Sequence, residues 1–194
     1  MKRLLSLTIC ITISVQIFAQ ILSPVQASLK KNVEVLTSDS LMGRGSGTLF
    51  ESRAAKYVTG KLAEAGAEIL YPGTGQDFSF ISGKDTLRSG NVLAIVEGID
   101  SVLKNEYILI AAHYDHLGRY VMKVNGRDSL VFFPGADDNA SGIACMINLA
   151  KMISDNSYLF RRSVIFAAFG AEENGMKGSW YFANRAFREM PKLA

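Results

Sequence analysis

The sequence predicts an α/β fold: a mixed, largely parallel sheet flanked by helices. Three observations carry this. Tyr107–Ala112 and Val164–Phe169 are nearly unbroken apolar runs, which suits strands buried on both faces. Between them Ile143, Met146, Ile147, Ala150 and Ile153 recur at helical spacing. The order strand, helix, strand then implies a right-handed crossover between parallel neighbours.

The preceding residues supply the rest. Residues 28–36 read as a short helix. Thr48 followed by Glu51 has the form of a capping box. Ala54, Ala55, Val58, Leu62 and Ala65 continue at helical spacing, and Gly66 supplies the stop. Short extended pieces alternate with turn residues over 69–87, and residues 91–96 read as a strand. Asn125-Gly126, flanked by Val121–Val124 and Leu130–Phe133, is a hairpin signal inserted between the first apolar strand and the helix.

Composition narrows the class. The 194 residues are 48% hydrophobic and 20% charged, a globular balance of one-domain size. The formal charge is +3, and Lys2 and Arg3 contribute two of those charges. A balance so near zero gives no argument for nucleic acid or an anionic membrane as partner. Residues 1–19 are laid out as a signal peptide: a charged start, a mostly apolar Leu4–Phe18, and Ile17-Phe18-Ala19 before Gln20. The apolar stretch is shorter than the roughly 18–20 residues of a spanning helix. Cleavage after Ala19 is therefore expected, with export to the periplasm or beyond and residues 20–194 as the mature catalytic part. Cleavage would leave Cys145 alone, expected as a small buried apolar residue. Neither cysteine sits in a Cys-x-x-Cys pair.

Three polar clusters interrupt the apolar framework. His113-Tyr114-Asp115-His116 follows one strand, Asp137-Asp138-Asn139 precedes the helix, and Glu172-Glu173 follows the second strand. Strand carboxyl ends are where open α/β sheets bind ligands, so these sequence-distant clusters converge on one rim. Neutral imidazole and carboxylates suit zinc, manganese or cobalt. On an extended segment His113 and Asp115 point to the same side, so Asp115 would orient and polarise the imidazole. Of two adjacent glutamates, one can bind metal while the other faces a water as general base. Gly43-Arg44-Gly45-Ser46-Gly47 has a phosphate-cradle look. It follows no clear strand and lacks a P-loop lysine, so it reads as a structural turn.

With these residues in view, the chain resembles the di-zinc aminopeptidase family that includes bacterial leucyl aminopeptidases, aminopeptidase Y and carboxypeptidase Q. The matching segments are Ala112-His113-Tyr114-Asp115-His116-Leu117-Gly118, the stretch from Pro134-Gly135-Ala136-Asp137-Asp138-Asn139 to Gly142, and Phe169-Gly170-Ala171-Glu172-Glu173 with Gly178-Ser179. Asp39–Tyr57 looks like the family's opening segment, and Asn91–Gly98 like the strand before its site. The resemblance implies a zinc-exopeptidase (phosphorylase/hydrolase-like) fold and two zinc ions. By the same resemblance His113 is a zinc ligand supported by Asp115, Asp138 bridges both ions, Glu173 binds the other ion, and Glu172 is the general base. It also implies a cis Asp138–Asn139 bond and, as substrates, peptides with a free N-terminus. Related specificities on the same fold are carboxypeptidase or dipeptidase activity and glutaminyl cyclisation. A non-catalytic binding domain that kept the fold is the reading of another class. The family completes its site with a later aspartate and a C-terminal histidine. After Glu173 this sequence has neither, so it reads as part of a longer protein, incomplete and inactive by itself.

Overall fold

The structure, a computed structural model, describes residues 23–71 and 75–189, with side-chain environments through residue 185. The expected leader lies outside the described residues. Among those residues no helix is long and apolar enough to cross a membrane.

The chain opens with helix α1, Pro24–Leu36. Ser23 caps it: its hydroxyl accepts from Gln26 N while the Gln26 side chain accepts from Ser23 N, so the helix starts a turn earlier than the apolar spacing alone suggests. A 3₁₀ segment, Asp39–Arg44, leads to α2, Leu49–Glu64. Strands β1 (Glu68–Ile69), β2 (Gln76–Ser82) and β3 (Asp85–Val96) follow, then β4 (Tyr107–His113). The hairpin β5–β6 (Arg119–Val124, Arg127–Phe132) turns at Asn125 and Gly126. Both turn residues have positive φ, 52° and 78°, the two-residue turn that Asn-Gly favours. Helix α3 (Ser141–Asp155), strand β7 (Ser163–Phe169) and helix α4 (Lys177–Glu189) complete the described chain.

The sheet runs β1-β3-β7-β4, with β2 also pairing with β3. It is mixed, as expected, but its parallel share is smaller. Among the described residues β4 and β7 are the one pair of strands in parallel, joined through α3; β3 pairs antiparallel with β1, β2 and β7. For β2 and β3 the cause is the tight turn between them, which reverses the chain, whereas a parallel neighbour needs a long crossover. An apolar strand core reads the same in either direction, so hydropathy did not reveal this.

Alternation sorts the core onto two faces. Val92, Ala94, Val96, Val164, Phe166 and Ala168 face α1, α2 and α3 through Leu36, Val58, Leu62, Ile143 and Met146. Leu93, Ile95, Ile165 and Ala167 face the other way, toward Phe182 of α4. The expectation for β7 holds on both faces. For β4 it does not: Ile108 and Leu109 are each 47% exposed, because β7 is this strand's one neighbouring strand among the described residues. Cys145 also departs from expectation. It is exposed, because α3 buries Ile143, Ala144, Met146 and Ile147 and turns position 145 outward.

Candidate metal centre

The parallel register of β4 and β7 places His113 opposite Phe169. The two strands therefore release the His113–His116 and Gly170–Glu173 segments side by side, and Tyr114 N donates to Phe169 O at 3.0 Å. The crossover returns to the same rim, where Ala136–Ala140 forms one irregular π-type turn before α3. The Asp138–Asn139 peptide bond in that turn is cis, as the resemblance implies.

Two histidine–carboxylate pairs result. His113 Nε2 lies 2.9 Å from Asp138 Oδ1, and His116 Nδ1 lies 2.7 Å from Glu173 Oε1. Ligand atoms of His116, Asp138 and Glu173 all fall within 4.8 Å of one another. Ring nitrogens and carboxylate oxygens so gathered are the donor set of zinc, and the residues present fit such an ion. The His113 side chain is 14% exposed and that of Asp138 62%, so the site has a buried floor and an open rim. Burial lowers the His113 pKa, yet the carboxylates of Asp115, Glu172 and Asp138 outweigh it and leave the pKa above the ordinary histidine value. This negative field would equally favour a cation.

All five residues expected at the site stand on this rim, with two differences of geometry. The Asp115 carboxylate does not hydrogen-bond the His113 ring. The nearest oxygen is 3.8 Å from Nδ1, and Nδ1 instead lies 3.2 Å from the Asp115 carbonyl. The buried carboxylate turns inward and accepts from Ser46 Oγ (2.7 Å), Glu172 N (3.0 Å) and Glu173 N (3.3 Å). The second difference is His116, which sequence reasoning quoted but gave no role, and which stands against Glu173. Gly135 makes room for it: a Cβ there would come within 2.5 Å of the ring.

Sequence reasoning also missed the supports beneath the rim. Arg44, fully buried, donates to the carbonyls of Tyr114, Leu36, Pro134 and Gly135. It thereby ties the glycine-rich segment to two of the three ligand-bearing loops, the one after β4 and the one before α3. Burial lowers its pKa to about 10, against the pull of Asp115 and Asp138. The backbone of the same segment runs along the first loop, with His116 N donating to Arg44 O and Gly118 N to Gly43 O. The segment is thus a structural turn, as read, and it also forms the floor of the site. Glu51 is 2% exposed and Asn91 fully buried; both reach the Gly170–Glu173 turn. A glutamate three residues after an N-cap carries a sequence signal, but it points to a cap rather than to a site.

An α/β sheet whose loops bring two histidines, two aspartates and two glutamates to one rim presents the donor set of a metal centre. The family described as Peptidase family M28 matches residues 91–193, and the chain belongs to that family. It is 31% identical over 122 residues to the Escherichia coli protein named YfbL, covering 63% of this chain and 32% of that protein. It is 33% identical over 79 residues to aminopeptidase YwaD of Bacillus subtilis, covering 41% of this chain and 14% of that one. The fold is similar to that of a Zn-dependent exopeptidase from Parabacteroides distasonis, with a TM-score of 0.63 at 17% identity, over 85% of this chain and 56% of that one. The chain thus spans about a third or less of the length of these two curated relatives.

Proposed function

We propose that the protein is a zinc-dependent exopeptidase acting on the N-terminal residue of peptides, an aminopeptidase with two zinc ions. The observation that carries this reading is the pairing of His113 with Asp138 and of His116 with Glu173 on one rim, with Glu172 next to Glu173 in sequence. With zinc bound, His113 and Glu173 would serve as ligands of one ion each and Asp138 would be shared by both. His116 is a further donor at the Glu173 end. Bound zinc supplies Lewis acidity toward the scissile carbonyl and a water acidic enough to attack it near neutral pH. Glu172 accepts that water's proton and returns it to the leaving nitrogen. Asp115 keeps Glu172 and Glu173 in register by receiving both of their backbone N–H groups. Export after removal of residues 1–19 belongs to the same reading, on the charged start, the short apolar run and Ala19.

The test uses the protein expressed from its complete gene. Zinc stoichiometry is measured alongside hydrolysis of an unblocked aminoacyl amide and of its N-acetylated form. Two zincs per chain and cleavage of the free amine only are expected. Equal cleavage of the acetylated substrate would remove the aminopeptidase reading. Cyclisation of an N-terminal glutamine without peptide hydrolysis would replace it with the cyclase one.

A further inference from the structure

The amides of the backbone turn that presents Glu172 are received by side chains, while its carbonyls accept backbone N–H groups from the segment leading into α4: Gly178 on Gly170 O, Lys177 on Ala171 O, and Gly175 and Met176 on Glu172 O. Four consecutive amides each donate to a buried side-chain oxygen. Gly170 N donates to Asn91 Oδ1 at 3.3 Å and Ala171 N to Glu51 Oε1 at 3.2 Å. Glu172 N and Glu173 N donate to the two oxygens of Asp115. The three acceptors come from α2, β3 and the loop after β4, elements far apart in the chain. Ala171 has φ 52°, a left-handed conformation disfavoured for a non-glycine residue because its Cβ crowds the following carbonyl oxygen. Something must over-determine it, and its N–H is the one that Glu51 receives.

Glu51 has the geometry of a clamp. Oε1 accepts from Ser89 Oγ at 2.6 Å as well as from Ala171, while Oε2 accepts from Gly47 N at 2.6 Å. One carboxylate thus joins β3, the turn bearing Glu172, and the glycine-rich segment whose Ser46 holds Asp115. The side chain is not spent on capping α2: Thr48 Oγ1 receives Phe50 N and Glu51 N, and the Glu51 carboxylate goes to Gly47 instead of back to Thr48. Gly170 preserves the passage, since a Cβ there would lie 2.9 Å from Glu51 Oε1 and 2.4 Å from Ser89 Oγ.

We propose that Glu51 is a positioning residue for Glu172: by receiving Ala171 N–H it holds the left-handed turn from which the general base projects. This rests on Glu172 being the base, so the test separates the two claims. Backbone amide exchange is followed by NMR in the protein from its complete gene, together with zinc content, kcat and KM. Glu51→Ala is expected to cut protection at residues 171–173 about tenfold or more, with β3 and β7 still protected. It should also lower kcat about tenfold while zinc content and KM stay within about twofold. Adding Ala171→Gly, for which positive φ costs little, should recover several-fold of the lost kcat. Glu51→Gln covers the case in which Glu51→Ala does not fold. Its one acceptor oxygen serves Ser89 and Ala171, so protection should fall at Gly47 and stay at Ala171. Unchanged exchange at 171–173 in Glu51→Ala, an undiminished kcat, or no recovery with Ala171→Gly would each overturn the proposal. If the parent protein hydrolyses no peptide, the exchange result still decides whether the clamp exists, and the aminopeptidase reading falls separately.

Discussion

Glu51→Gln should change how stability depends on pH. Burial raises the Glu51 pKa from 4.5 to about 7, against the hydrogen bonds from Ser89, Gly47 and Ala171 that lower it. A carboxyl raised on folding makes the folded state bind more protons than the unfolded chain between those two values. Its contribution is therefore intact below the unfolded pKa and is lost as pH rises toward the folded one. A pKa raised from 4.5 to about 7 costs roughly 3 kcal/mol once both states are ionised. A minor part of this is already lost at about pH 5 and essentially all of it by about pH 8.5, so the step between them is roughly 2–3 kcal/mol. Glutamine does not titrate. Wild type and Glu51→Gln should be unfolded in urea at both pH values. Comparing the pair at two pH values cancels any fixed cost of facing an amide toward Gly47 N–H. The variant should gain roughly 2–3 kcal/mol on the wild type between pH 5 and 8.5. Curves that stay parallel within about 0.5 kcal/mol would refute the claim that this carboxylate is buried against its own ionisation.

Further outcomes follow from the site. Asp138→Ala should lower zinc content more than His113→Ala, because in the proposed two-zinc site the carboxylate would serve both ions and the imidazole only one; elemental analysis of the purified proteins decides it, and equal loss counts against bridging. Glu172→Gln should keep its zinc and lose roughly 100-fold or more in turnover, whereas Glu173→Gln should lose zinc first; parent-like turnover in Glu172→Gln would end its assignment as base. Arg44→Lys should destabilise the fold by about 2–4 kcal/mol in urea titrations, since three ammonium donors cannot reproduce guanidinium contacts to four carbonyls, each worth roughly 1.5–3 kcal/mol. A change under about 0.5 kcal/mol would show that water replaces it. N-terminal sequencing of exported protein should begin at Gln20, and a start at Met1 would remove the leader.

Much of this molecule was legible before folding was considered. Helical spacing located α2 and α3, because a buried face must be apolar at the period of its own backbone; an unbroken apolar run located β7, and the Asn125-Gly126 turn signal located the hairpin. Strand-end placement brought His113, Glu172 and Glu173 to one rim, because residues at the ends of parallel neighbours share a level, and the start of the crossover helix brought Asp138 there. The sequence singled out the polar clusters of the candidate site and the elements that present them. The tertiary structure alone decided what holds them still. Arg44 reaches carbonyls up to 91 positions away, and Glu51 reaches an amide 120 positions away. The antiparallel placement of β3, the exposure of β4 and Cys145, and the inward turn of Asp115 are of the same kind. Each depends on which surfaces meet in space. Hydropathy records whether a side chain avoids water; it does not record which partner receives its hydrogen bonds, and it is those partners that build the floor of the site.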